Sequence, residues 1–336
     1  MGKGAVLISA SSPRADPRLR DDCGVKHGGK ETENMGNTQL ETYLAEEIRK
    51  LREVSYPQKA GFLRRLFIRS AAISKLHPNP NDEFCSPEIG PCYEIISRYV
   101  EDYRPIKSHP KEMKYLRGPA GEKLQVEKIY PDGYMILNGH HRWGAAWMVG
   151  LEKLPVKIVD LTQQSDIQKM LSASGFTRRV TLDLDEVVFR SPDDPLLEKP
   201  LPFPLRKIYR ERLRRGIPAL FSTLSRSGYD IWIYTSGYYS LEYLRHYFKY
   251  YHVPVTGIVT GIGRKEPSGA DIRKELEKLM NTRYQSTVHI DQHTVIRVFS
   301  GSGTFDEFNL SGSPETWTSE VKDIIPKLEK TCRNQT

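Results

Sequence analysis

The chain alternates between two spacings of apolar residues, and the change from one to the other divides it. Over 38–51, Leu40, Tyr43, Leu44, Ile48 and Leu51 recur three or four apart, the period of one helix face. A second helix is expected over 61–76 and a third over 93–103, separated by a Pro-, Asn- and Asp-rich stretch that predicts a loop. Strands are expected at 125–130 and 134–137, joined through Pro131-Asp132-Gly133, a hairpin signal. Asn138-Gly139 then opens a helix ending near Gly150, and 154–159 is rich in β-formers. Together these predict an α+β domain over 39–162. It is preceded by a tail, 1–38, that lacks periodicity, and followed by a linker helix within 163–175.

Beyond 176 the pattern becomes strand, helix, strand. Strands are expected at 180–185, 229–235, 255–259 and 286–290, and helices at 205–213, 219–227, 241–251 and 270–280. That alternation predicts an α/β domain over 176–336, with a parallel sheet and right-handed crossovers.

Candidate chemistry sits at the ends of the predicted strands. Asp183 and Asp185 close the first, and carboxyl ends are where α/β sheets place their sites. Two converging carboxylates repel unless a cation lies between them, and Mg²⁺ prefers such oxygen ligands. Thr235 closes the second strand, with Ser236 as the alternative register, and Asp291 closes the last. Lys265, with Arg264 as its competitor, lies just before a predicted helix. Phosphoryl transfer needs these groups: a carboxylate to attack phosphorus, an acid to protonate the leaving oxygen, and cations and a hydroxyl to hold the phosphoryl oxygens.

In order and spacing these motifs resemble the haloacid dehalogenase (HAD) superfamily. The resemblance implies a Rossmannoid fold with a small helical cap and a Mg²⁺-dependent phosphatase. Asp183 would be the nucleophile and Asp185 the general acid, Thr235 and Lys265 would hold phosphate, and Asp183, Asp185 and Asp291 would hold the metal. Gln292 departs from the second acid common in the family. The interval 190–230 carries Arg206, Lys207, Arg210, Arg212, Arg214 and Arg215, either a solvated face or an entrance for an anionic substrate. Tyr238, Tyr239, Tyr243, Tyr247, Tyr250 and Tyr251 are read as core-facing packing rather than a base-stacking surface.

The first domain has its own constellation, Asn138-Gly139-His140-His141-Arg142, between a strand and a helix. Free N–H groups at a helix N-terminus, a glycine and an arginine fork suit a phosphate. The wider stretch, about 72–161, resembles the ParB/sulfiredoxin superfamily, with its G-x-x-R loop before an Ala-rich helix. By this loop it is closest to free-serine kinases, which carry D-G-H-H-R. The resemblance implies that residues 138–142 bind nucleotide phosphates, with ATP or ADP as the ligand. His140 stands where sulfiredoxins have cysteine, so their reductase chemistry has no nucleophile here. Asn138 cannot act as a base, and Asp82, Glu83 and Glu88 are candidate substitutes or turn caps.

Composition narrows this further. The chain has 336 residues with 50 basic and 42 acidic side chains, a net charge of +8 that suits anionic partners. Four cysteines without a C-x-x-C pair argue against a disulfide framework or zinc ribbon. No apolar run is long enough to span a bilayer, and the apolar part of the N-terminus is short for a signal peptide. The expectation is a cytoplasmic phosphohydrolase acting on a small molecule or phosphoprotein, with a nucleotide-binding domain and no membrane partner. The alternatives are a ParB-like protein that binds nucleic acid or processes its ends, and a catalytically degenerate nucleotide-binding regulator.

Overall fold

A computed structural model describes residues 31–54, 56–263, 272–301 and 304–333. Two compact units divide the described chain, one ending at Leu161 and the other beginning at Thr162. Among the described residues, no helix is long and apolar enough to cross a membrane.

The first unit contains α1 (Glu31–Val54), β1 (Tyr56–Pro57), α2 (Phe62–Phe67), β2 (Ser70–Ala72), β3 (Leu76–His77), α3 (Tyr93–Ser108), β4 (Leu124–Tyr130), β5 (Tyr134–Asn138), α4 (His140–Val149) and β6 (Lys153–Val159). Its sheet runs β2-β6-β4-β5-β3, with β1 paired to β4. β4 and β5 are antiparallel, while β4–β6 and β3–β5 are parallel, so the sheet is mixed. The β4–β5 turn works because Gly133 has φ 101° and its N–H is held by Asp132 Oδ1 at 2.7 Å. On α3, Ile96, Tyr103 and Ile106 form one buried face. They join Leu40, Leu44, Phe84 and Trp143 in a core over the sheet. α4 approaches that core closely. A Cβ on Gly144 would lie 3.2 Å from Phe84 Cζ, so a small residue fits there.

Two expectations fail here. Residues 61–76 are not one helix: α2 stops at Phe67, and β2 and β3 pair with β6 and β5. Tertiary pairing outweighs the weak helical spacing. α1 starts at Glu31 rather than Thr38, because extending a formed helix costs far less than nucleating one. The rest of the expected tail lies outside the described residues.

The second unit contains α5 (Gln164–Ser172), β7 (Arg178–Asp183), a single π-helical turn (Leu184–Val188), β8 (Phe189–Arg190), α6 (Leu205–Ile208), β9 (Arg212–Leu213), α7 (Ile217–Arg226), β10 (Tyr229–Thr235), α8 (Leu241–Tyr250), β11 (Gly257–Thr260), α9 (Ile272–Arg283), β12 (Ser286–Ile290), β13 (Thr294–Phe299), β14 (Phe305–Asn309) and α10 (Trp317–Arg333). The sheet order is β11-β10-β7-β12-β13-β14. The first four strands are parallel and the last two antiparallel. The four strands expected from the sequence are parallel as expected, and the sequence reading missed β13, β14 and α10. The expected helix 205–213 is also corrected: only Leu205–Ile208 is helical, and β9 pairs with β8 in a two-stranded ribbon.

β7 is central, flanked by β10 and β12. Val180, Leu182, Ile231, Ile233, Val288 and Ile290 enter the main core, which α7, α8 and α10 supply from one side with Leu220, Leu244 and Val321. On the opposite face Trp232 and Tyr234 pack with Ile167 and Met170 of α5 and with Met280 and Tyr284. Strands buried on both faces read as continuous apolar runs, which is why β10 was so legible.

Candidate functional site

The parallel pairing brings three strand ends to one edge. Tyr234 of β10 pairs with Asp183 of β7, and Ile290 of β12 pairs with Leu182. Thr235 and Asp291, each one residue on, therefore stand at the same carboxyl edge as Asp183. The π-turn after β7 folds back on the half-buried Asp183, whose Oδ1 accepts the N–H groups of Asp185 and Glu186, both at 2.8 Å. Burial raises the Asp183 pKa to about 6, against the opposing pull of those N–H donors.

Asp185 is exposed, and its Oδ2 accepts the Thr235 hydroxyl at 2.5 Å. The same hydroxyl accepts the N–H of Gly237 at 2.8 Å. Thr235 is fully buried, so this hydroxyl fixes Asp185 rather than standing open for a phosphate oxygen. Asp291 Oδ1 accepts the N–H of Gln292 at 2.5 Å. Gln292 Nε2 donates to the Glu186 carbonyl at 2.9 Å and so ties the end of β12 to the π-turn. A carboxylate in place of Gln292 could not donate that bond.

The expected metal set of Asp183, Asp185 and Asp291 is not gathered. Among the described residues, no three His, Cys, Asp or Glu side chains form a group able to hold an ion. Each of these carboxylates instead turns one oxygen to a neighbour on its own edge. Lys265 and its competitor Arg264 lie outside the described residues.

Tyr239, expected as a packing residue, packs against this edge. Its ring packs on Gly237, T-shaped against Phe189 at 6.3 Å and stacked on Tyr243 at 6.4 Å. Its phenol pKa is raised by burial and by the charges of Asp185 and Glu211, which puts it between the carboxylate edge and the basic segment. Tyr243 donates to Glu211, Tyr247 to the Glu211 carbonyl and Tyr251 to the Lys199 carbonyl, so α8 fastens the segment 198–213. The periodic tyrosines signalled packing, and packing is what these four do. A depression of about 370 Å³ elsewhere in this unit is lined by Asp193, Asp194 and Glu315, acids that disfavour a phosphate ester.

In the first unit, Gly139 caps α4 with φ 104°. The side chains that follow it point inward. His140 Nε2 accepts the N–H of Asn79 at 3.3 Å, and His141 Nε2 accepts that of Cys92 at 3.1 Å. Phe84 stacks on His140 and meets His141 edge-on. Burial lowers both histidine pKa values, that of His141 to about 4, so both rings are neutral at pH 7. Arg142 is buried and donates to the Glu122 carbonyl at 2.7 Å and the Pro119 carbonyl at 3.4 Å. The expected grip of His141 and Arg142 on a phosphate is thus replaced by a brace holding residues 79–92 and 119–122. Asn138 is exposed at the end of β5. Of the three candidate acids, Asp82 comes to this turn: its Oδ1 is 3.5 Å from His140 Nδ1 and also caps Phe84 N–H at 3.0 Å.

Residues 122–175 match the model of the ParB N-terminal domain. The match begins before β4, covers the 138–142 turn and continues into α5 of the second unit. No curated protein and no solved structure matches the chain.

Proposed function

We propose that the second unit is a phosphomonoester hydrolase of the HAD type, working through an aspartyl phosphate at Asp183. The observation that carries this reading is Asp183 itself. It is a half-buried carboxylate at the end of the central strand, with one oxygen fixed by two amides and Asp185 held beside it by Thr235. Above a pH of about 6 Asp183 is ionised, and its second oxygen attacks phosphorus as the bond to the leaving oxygen breaks. Asp185 gives that oxygen a proton, then takes one from the water that attacks the acyl phosphate and releases inorganic phosphate. Thr235 acts on Asp185, setting its orientation.

The donors at this edge are all oxygens, and Asp183 and Asp291 stand on adjacent strands. That suits Mg²⁺, which takes one or two carboxylates and keeps several waters. These two residues would hold it, and it would neutralise the phosphoryl oxygens. The test is turnover of p-nitrophenyl phosphate and a panel of phosphorylated metabolites, nucleotides and phosphopeptides by the full chain. Asp183→Asn should remove nearly all turnover without unfolding the protein. The wild-type rate should fall as pH drops through about 6, as Asp183 takes up its proton. An active Asp183→Asn variant would exclude covalent catalysis there.

A second reading concerns the first unit, and the family match favours it: binding of nucleic acid or a nucleotide by the ParB-like fold. With His140, His141 and Arg142 turned inward, a phosphate at 138–142 would be held by the free N–H groups of the first turn of α4. Calorimetry with ATP and ADP, and oligonucleotide binding as a function of salt, test it. Oligonucleotide binding without turnover of any phosphate ester would favour the non-enzymatic regulator.

A further inference from the structure

α2 carries an apolar face that nothing among the described residues covers. Phe62, Leu63, Leu66 and Phe67 are 65, 67, 41 and 72% exposed, and the helix buries none of its residues. Scattered exposed apolar residues are ordinary, but four large ones at i, i+1, i+4 and i+5 form one continuous stripe. The fold holds that stripe in place. Asp160, 4% exposed, accepts the N–H groups of Ala60 at 2.7 Å and Gly61 at 3.1 Å and pairs with Arg65 Nε at 3.2 Å. Lys59 donates to the Leu161 carbonyl at 2.6 Å. A buried carboxylate thus anchors the base of a helix whose apolar side faces solvent. On β1, the strand just before α2 in the chain, Tyr56 stacks on Tyr130 of β4 at 4.9 Å, both rings exposed.

Along the chain segment that carries the stripe the charge has one sign. No acidic residue occurs between Tyr56 and Asn81, whereas Lys59, Arg64, Arg65, Arg69 and Lys75 do. Arg64 and Arg69 are exposed. Asp132, on the adjacent turn, is already bound by Lys75 at 2.5 Å. A second copy of this face would set arginine against arginine. A nucleic acid would stack on the aromatic rings but gain little from Leu63 and Leu66. An anionic lipid surface matches every part of the set: apolar side chains enter the acyl boundary, arginines meet the headgroups, and tyrosines sit at the interface. With side chains this exposed, the stripe is a ridge, a shape that a deformable lipid phase accepts without a preformed groove.

We propose that α2, with the Tyr56–Tyr130 pair of the preceding strand, is a peripheral docking surface for anionic membranes. Among the described residues no helix is long and apolar enough to cross the bilayer, and α2 rests on its surface through one apolar ridge. The composition concealed this, because six helical residues are far too few to register as a membrane segment.

The experiment is co-sedimentation of the full-length protein with vesicles of phosphatidylcholine alone and of phosphatidylcholine mixed with phosphatidylserine. Binding is expected only to the mixed vesicles and should weaken as salt rises. Phe62→Ser/Phe67→Ser should lower the partition coefficient at least about tenfold, given the apolar area withdrawn. Arg64→Glu/Arg69→Glu should abolish the preference for the anionic lipid. All four positions are exposed, so the thermal midpoint of each variant should match the wild type. Absence of the wild-type protein from the mixed-vesicle pellet at low salt overturns the proposal. So does undiminished binding by the serine variant. If that variant instead loses self-association or oligonucleotide binding, the face belongs to a second copy or to nucleic acid.

Discussion

At the scale of single residues, the 138–142 turn shows how much a side chain's role depends on where it points. His141 is a half-buried acceptor for the Cys92 N–H. Removing it in His141→Ala takes away that hydrogen bond and should cost about 0.5–1.5 kcal/mol in denaturant unfolding. Its folded pKa of about 4 lies below the ordinary 6.5, so the neutral ring is the form that belongs in the fold. Its contribution to stability is whole above pH 6.5 and is lost as pH falls towards 4. Asp183 has the opposite sign. Its folded pKa of about 6 exceeds the ordinary 3.8, so its contribution is whole below pH 3.8 and is lost as pH rises through 6. Comparing stability-versus-pH curves of His141→Gln and Asp183→Asn with the wild type should remove one limb each. Coincidence of all three curves would exclude both assignments. The histidines and the two aspartates could be singled out from the sequence; the direction of their side chains could not, because the loop 79–92 that receives the histidines is distant in sequence.

At the scale of elements, glycines and one buried acid set the local geometry. Gly139 has φ 104°, and a Cβ there would lie 2.8 Å from an Arg142 guanidinium nitrogen. Gly139→Ala should therefore destabilise the protein by about 1–2 kcal/mol, read as a lower chemical-denaturation midpoint. Asp160 anchors α2, and Asp160→Ala would leave Arg65 and two N–H groups without their acceptor. A loss of about 3–5 kcal/mol is expected, with faster amide exchange at Ala60 and Gly61. Elements with strong local signals were legible. The β4–β5 hairpin followed from Pro131-Asp132-Gly133, and α4 followed from Asn138-Gly139 at one end and Gly150 at the other. The 61–76 and 205–213 segments were not, because β2, β3 and β9 are two or three residues long and exist only through their partners.

At the scale of the whole molecule, the boundary at Leu161 and Thr162 matters more than the span of the family match. Thr162 Oγ1 donates to the Ile258 carbonyl at 3.1 Å, and its N–H to Thr260 Oγ1 at 2.9 Å. α5 buries Ile167 and Met170 against the second unit's own residues. A fragment ending at Leu161 should therefore be soluble and monomeric, whereas one ending at Gly175 would expose α5's apolar face and associate. Light scattering on the two fragments checks this, and equal behaviour would place the boundary elsewhere. The sequence by itself determined two things: an α+β region followed by alternating strands and helices, and the strand ends at Asp183, Thr235 and Asp291. These follow from periodicity and turn chemistry, which act over a few residues. Only the tertiary structure decided that β13 and β14 extend the sheet antiparallel. It alone decided that Thr235 serves Asp185, that His140 and Arg142 face inward, and that α2 faces out. Each of these depends on a hydrogen-bond partner or a burial contact far away in the chain, and local spacing carries no record of which distant group will fill a side chain's hydrogen bonds.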